Sequence, residues 1–183
     1  VYGDTIHVID IDNVTIESGS SFSGAGFIGG YASGIDIIRI TNCNAEAGVK
    51  IGWNAEKNQP VAGSKGTFAG EFNGYIANCE SAATVYGSDY VGGIVASKGQ
   101  TMGPFEVINC KFTGELIATG KFVGGIAGGG YSGAVWGTES APNTPCATIK
   151  NCLVTGKVSG TDYVGGIIGG EEGVVQCWAS GIG

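Results

Sequence analysis

The sequence predicts an all-β protein, a parallel β-helix or β-solenoid in which short strands stack coil upon coil. Two recurring signatures and the glycine content carry that prediction. In the first signature an apolar residue, a spacer and an amide residue lead into a cysteine: Ile40-Thr41-Asn42-Cys43, Ile76-Ala77-Asn78-Cys79, Val107-Ile108-Asn109-Cys110, Ile149-Lys150-Asn151-Cys152 and Val174-Val175-Gln176-Cys177. The second is an aromatic, a branched residue and two glycines: Phe27-Ile28-Gly29-Gly30, Tyr90-Val91-Gly92-Gly93, Phe122-Val123-Gly124-Gly125 and Tyr163-Val164-Gly165-Gly166, with Phe68-Ala69-Gly70 as a worn copy. Self-similarity at a period of a few tens of residues means stacked supersecondary units that bury their apolar faces against one another. The 36 glycines of 183 residues mark turns, since four prolines and 43% hydrophobic residues fit neither collagen nor disorder.

Taken in chain order, Ile6 to Ile16 alternates apolar residues and reads as strand in an atypical first coil, or cap, over residues 1–23. From there the signatures set the coil. Cys79 to Val91, Cys110 to Val123 and Cys152 to Val164 span 12, 13 and 12 residues, and Val164 to Cys177 spans 13, so the shortest coil holds 25. A strand-helix-strand crossover needs about 30 residues or more, which leaves room for short strands and turns but not for helix. Phe112-Thr113-Gly114-Glu115-Leu116 and Val154-Thr155-Gly156-Lys157-Val158 each place a glycine between apolar runs, as at a corner where two strands meet. Three insertions lengthen particular coils: 50–66, 97–106 and 129–147.

Stacking the first signature yields a ladder of Asn42, Asn78, Asn109, Asn151 and Gln176 beside a column of Cys43, Cys79, Cys110, Cys152 and Cys177. Asparagine tolerates left-handed backbone, and its amide can bond to the amide one coil away. The cysteines would stack about 4.8 Å apart with parallel Cβ vectors, which favours a buried, mostly reduced column over disulfides. Cys146 stands outside this pattern as a loop-pinning disulfide partner or an unpaired thiol.

These residues resemble the GLUG-motif repeats of bacterial secreted and cell-surface proteins, including the amino-terminal regions of some IgA-cleaving metallopeptidases. The resemblance covers roughly residues 24 to 181 and is closest in SGTDYVGGIIGGEEGVVQCWASG at the carboxyl end. It implies a right-handed parallel solenoid on the outside of a bacterial cell and does not imply an activity; one domain of about five to six coils is expected. The start, Val1-Tyr2-Gly3-Asp4, carries no basic or apolar signal region, so the chain reads as a mature protein or a segment of a larger one.

Chemistry is sparse. A net charge of -7 with nine basic residues argues against nucleic acid, and no apolar run reaches the 18 or so residues of a membrane span. His7 is the single histidine, and the cysteines come singly, so neither a hydrolytic triad nor a metal site or other cofactor is expected. Asp10 and Asp12 share one face of a strand, as an acid pair acting on polysaccharide would, but more simply as solvent-facing acids or, with Asn13, a weak calcium contact. Asp89 and Asp162 read as turn chemistry.

Loops on a solenoid carry individuality, and the aromatics there are the binding candidates: Trp53, Trp136, Tyr131 and Phe105, which stack on sugars or anchor a protein, or else fold back over the coil. Phe27, Tyr90, Phe122 and Tyr163 are phased with the repeat and read as a stacked aromatic column. The expected function is a non-catalytic adhesive module or rigid spacer facing glycan or protein ligands. A polysaccharide-processing enzyme and a subunit that self-associates end to end are the alternatives.

Overall fold

In the computed structural model, residues 8–28, 37–72, 74–98, 105–131, 147–172 and 179–182 are described. They form strands and turns without helix, in five parallel sheets of six, five, five, four and four strands plus one small antiparallel pair. The first sheet stacks Val8–Asp12, Ile37–Thr41, Gly74–Ala77, Phe105–Ile108, Ala147–Lys150 and Ala179–Ile182. The second stacks Thr15–Ile16, Asn44–Ala45, Glu80–Ser81, Lys111–Phe112 and Leu153–Val154. In the third lie Ser21–Phe22, Lys50–Ile51, Thr84–Gly87, Glu115–Ala118 and Lys157–Ser159. The fourth holds Lys65–Gly66, Val91–Gly92, Lys121–Gly124 and Asp162–Gly165, and the fifth Ala69–Phe72, Val95–Lys98, Ala127–Tyr131 and Glu171–Glu172. Each pass of the chain through all five faces is one coil of a β-solenoid.

The core is a set of columns, one inward residue per strand. Ile40, Ile76 and Val107 are fully buried above Ile149 in the first sheet; Ile51, Val85 and Leu116 stack in the third; Val91 and Val123 in the fourth; Phe68, Ile94 and Ile126 before the fifth. Each inward side chain thus packs on its counterpart one strand spacing away, which is the nearest-neighbour burial that holds repeat proteins together. Small and large residues alternate where the interior narrows. Gly93 lies against the ring of Phe112, where a Cβ would overlap it, while one coil earlier Thr67 and Ser81 fill the same pair of slots with a buried hydroxyl bond of 2.8 Å.

The corner between the first and second sheets is made by asparagine. Asn13, Asn42, Asn78, Asn109 and Asn151 all take left-handed backbone, with φ between 51° and 55°. Asn109 donates its side-chain amide to Asn78 at 3.1 Å, Asn78 to Asn42 at 3.4 Å and Asn42 to the Asp12 carboxylate at 2.7 Å. Asn13 belongs to this series in backbone conformation, although Val14 follows it in the cysteine slot. Cys43, Cys79 and Cys110 are buried free thiols and Cys152 is a half-buried one. Each donates to the carbonyl two residues before it, of Thr41, Ala77, Ile108 and Lys150, at 3.1 to 3.3 Å.

The register corrects three expectations. Ile76 pairs with Val107, 31 residues on, so the coil is longer than the 25 read from Cys152 to Cys177. After the paired glycines the chain builds the fifth sheet and then the first before it reaches the next corner. In the last coil Ala179–Ile182 pairs with Ala147–Lys150. Gln176, Cys177, Cys146 and His7 lie outside the described residues. Second, the aromatic column contains Tyr90, Phe122 and Tyr163, whose rings stack 4.8 Å apart at 15° and 7°, but not Phe27. Phe27 and Ile28 bond to Thr67 and Phe68 and enter the fifth face, and the Phe27 ring packs edge-on against Phe22 at 6.0 Å. Third, the true second-coil counterpart of Tyr90-Val91-Gly92-Gly93 is Ser64-Lys65-Gly66-Thr67, because Lys65 pairs with Val91, whereas Ala69 pairs with Val95.

Tyr90, Phe122 and Tyr163 carry φ of 55°, 61° and 51°, a backbone region that costs a non-glycine residue roughly 1–2 kcal/mol. Each ring stack returns about 0.5–1.5 kcal/mol, and Phe122 is also buried to 1% exposure, so the column offsets its own strain only as a stack.

Candidate functional site

Of the three inserted segments, the one within 50–66 is described most fully. Lys50–Ile51 and Lys65–Gly66 belong to the coil, and the chain between them leaves it as a hairpin in which Trp53–Asn54 pairs with Gln59–Pro60. Gly52 makes that exit possible. Its φ of +69° turns the chain away from the third sheet, and its lack of a side chain lets it sit against the Tyr86 carbonyl. Val61 donates to the Gly52 carbonyl at 2.7 Å and closes the base, while Asn58 with φ 47° and a 2.9 Å bond from Lys57 N–H to Asn54 Oδ1 shape the tip.

Between this hairpin and the first coil lies an open groove of about 270 Å³ walled by Ser21, Ser23, Trp53, Asn54, Ala55 and Glu56. Trp53 is half-buried. Its ring rests on Tyr86, 4.8 Å between centroids at 42°, and the Lys50 ammonium sits 4.5 Å from the indole centroid. The indole is anchored on the coil while it walls the groove. The remaining walls offer two hydroxyls, one amide and, in Glu56, one carboxylate.

Behind the groove is Lys65, only 6% exposed. It occupies the inward slot that Val91, Val123 and Val164 fill in the later coils. Its Nζ reaches back to the carbonyl of Ser23 at 3.4 Å. Burial pulls its pKa below the ordinary lysine value. No carboxylate is paired with it among the described residues.

Phe105 and Tyr131 were expected on loops, but Phe105 begins a strand of the first sheet and Tyr131 ends one of the fifth, because the ends of the 97–106 and 129–147 segments pair in the ladder. Trp136 lies outside the described residues. Asp10 forms an ion pair with Arg39 at 2.9 Å, and Asp12 accepts from Thr41 Oγ1 at 2.6 Å and from Asn42, so each acid is held by the neighbouring coil. The hydrogen bonds from Thr41 and Asn42 hold the Asp12 carboxyl below the usual carboxylate range. Asp89 accepts from the Lys121 N–H at 2.8 Å, which is corner bonding. Among the described residues no cluster of His, Cys, Asp and Glu has the geometry to hold a metal ion.

Sequence reasoning missed Ser21, Ser23, Asn54, Glu56, Lys50 and Lys65. Of these only Lys65 carries a signal, a charge standing where the repeat asks for a branched apolar residue, and Phe68-Ala69-Gly70, which resembles the signature but pairs with Val95, masks it. Comparison of the chain with protein-family models, with curated proteins and with solved structures finds no match.

Proposed function

We propose that this chain is a non-catalytic adhesive module of a bacterial extracellular protein, a right-handed solenoid of five to six coils whose inserted hairpin binds glycan. The observation that carries the reading is the groove itself, a polar cleft with one aromatic wall raised on a rigid stack. Indole faces and edges suit the apolar side of a sugar ring, and hydroxyl, amide and carboxylate groups suit its hydroxyls. Handedness follows the general rule that parallel strands joined through a crossover connect right-handedly in about 98% of cases. The extracellular, bacterial setting rests on the GLUG resemblance.

A glycan-array screen of the chain beside Trp53→Ala tests the reading. Binding that Trp53→Ala abolishes is the expected result, and array-wide silence from the wild-type chain refutes it.

End-to-end self-association is a second reading, favoured by apolar residues that are exposed in the first and last described coils. Val8 and Ile9 are 45% and 49% exposed in the first; Leu153, Tyr163 and Val164 are 51%, 63% and 44% exposed in the last. Unpaired strand edges invite further strands. Light scattering separates the two readings, since an assembling subunit gives mass that grows with concentration and an adhesive monomer does not.

A further inference from the structure

We infer that the Trp53 groove selects a carboxylate-bearing sugar, with Lys65 and Lys50 as its counter-charges. The inference rests on the glycan reading of that groove and names the class of glycan.

Lys65 is the strongest reason. The repeat places valine in its slot, and valine packs there without cost, as Val91 and Val123 do at full burial. A lysine in the same slot buries an ammonium that has three hydrogens to donate and, among the described residues, one carbonyl acceptor at 3.4 Å. An ammonium so placed destabilises the fold unless an anion completes its shell. Breaking a repeat's local rule at a cost to the fold is what a functional site does. The acceptor, Ser23, is a wall of the groove, so the ammonium lies next to that wall.

Lys50 adds a second cation. It is adjacent in the ladder to Ser21, another wall residue, and its ammonium is held over the Trp53 indole. In a chain with nine basic and 16 acidic residues, Lys65 and Lys50 each lie beside a wall of this groove, at Ser23 and Trp53. Their field favours an anion beside that wall.

The remaining walls favour a sugar over an acidic peptide. Ser21, Ser23 and Asn54 present short polar groups suited to ring hydroxyls, and Glu56 accepts from a hydroxyl. The groove, at about 270 Å³, is smaller than the roughly 300–1,000 Å³ of sites that enclose a drug-sized ligand, so it grips one end or one unit of a chain that continues into solvent. Uronates and sialates share this chemistry.

Calorimetric titrations with trigalacturonate, with sialyllactose, with their uncharged counterparts galactotriose and lactose, and with hexaglutamate test the inference. The wild-type chain is expected to bind at least one carboxylated sugar about tenfold or more tighter than its neutral counterpart. Whichever of the two acids binds identifies the source. Lys65→Met is expected to erase that preference while melting no lower than wild type, which separates lost recognition from lost fold. Lys50→Gln, on the surface, is expected to weaken the preference too and serves if Lys65→Met does not fold. Equal binding of neutral and acidic sugars, or a preference that survives both substitutions, overturns the inference and leaves the glycan reading standing. Hexaglutamate binding tighter than every sugar overturns the choice of a saccharide, and no binding of any sugar overturns both readings together.

Discussion

Replacing Asn109 tests whether the corner ladder is what the structure says it is. Asn109 sits at φ 53° and contributes one side-chain bond to the coil before it, 3.1 Å from Nδ2 to Asn78 Oδ1. Asn109→Ala loses that bond and places a Cβ in left-handed backbone without the local bonding that lets asparagine tolerate it. The bond is exposed and contributes at the low end of the 0.5–1.5 kcal/mol range, and the backbone adds roughly 1 kcal/mol, for a total loss of about 1.5–2 kcal/mol. Asn109→Gly loses the same bond, but glycine occupies positive φ freely, so its cost is about 0.5 kcal/mol. The order of the two variants matters more than either magnitude. In an ordinary strand glycine destabilises by roughly 0.5–1 kcal/mol relative to alanine, whereas here glycine must be the more stable. Urea unfolding at constant m-value reads the difference. Alanine equal to or better than glycine at position 109 would refute both the left-handed corner and the strand register that produces it.

Three further outcomes follow from the same geometry. Phe112→Ala empties a fully buried slot bounded by Gly93 and Gly156, neither of which can fill it, and is expected to cost about 3–5 kcal/mol in the same assay; a loss below 1 kcal/mol would contradict the packing. Cys152 is half-buried where the other three thiols are buried, and interaction with Cys110 lowers its pKa, while interaction with Cys152 and Cys79, together with burial, pushes Cys110 up. Alkylation of the native chain near pH 7.5, mapped by mass spectrometry, is therefore expected to modify Cys152 before Cys43, Cys79 and Cys110, and prior modification of any of those three would be incompatible with the thiol column. Asp12 titrates below its ordinary 3.8 in the folded chain because of Thr41 and Asn42, so its stabilising effect is complete above that pH and is lost as pH falls through the lower folded value. Melting temperature against pH should thus fall less steeply on the acid side in Asp12→Asn than in wild type, and parallel curves would show that the carboxylate is not engaged.

The solenoid was legible because its determinants are local and repeated. Asn42, Asn78, Asn109 and Asn151 precede their cysteines at every corner, and Tyr90, Phe122 and Tyr163 precede their glycine pairs, so each slot is announced several times. The first coil was harder, since Asn13 keeps the left-handed corner but is followed by Val14 instead of cysteine. Phe27-Ile28-Gly29-Gly30 matches the second signature by residue type yet enters a different face. Aromatic and branched residues fill two successive inward slots of this cross-section, and residue type alone does not tell which. The groove was legible only at Trp53. Ser21 and Ser23 reach it from the preceding coil, and the distance in sequence between them and the hairpin is bridged by stacking, which no motif encodes. Lys65 becomes conspicuous only once the ladder pairs it with Val91.

The most direct test of the account is a nitrogen-15 NMR titration of the chain with the carboxylated sugar that binds. The account predicts that the largest shifts fall on the backbone amides of Ser21 and Ser23, the Trp53 indole N–H and the Asn54 side-chain amide. Shifts gathered instead around Leu153 and Tyr163, with those four signals unmoved, would contradict it.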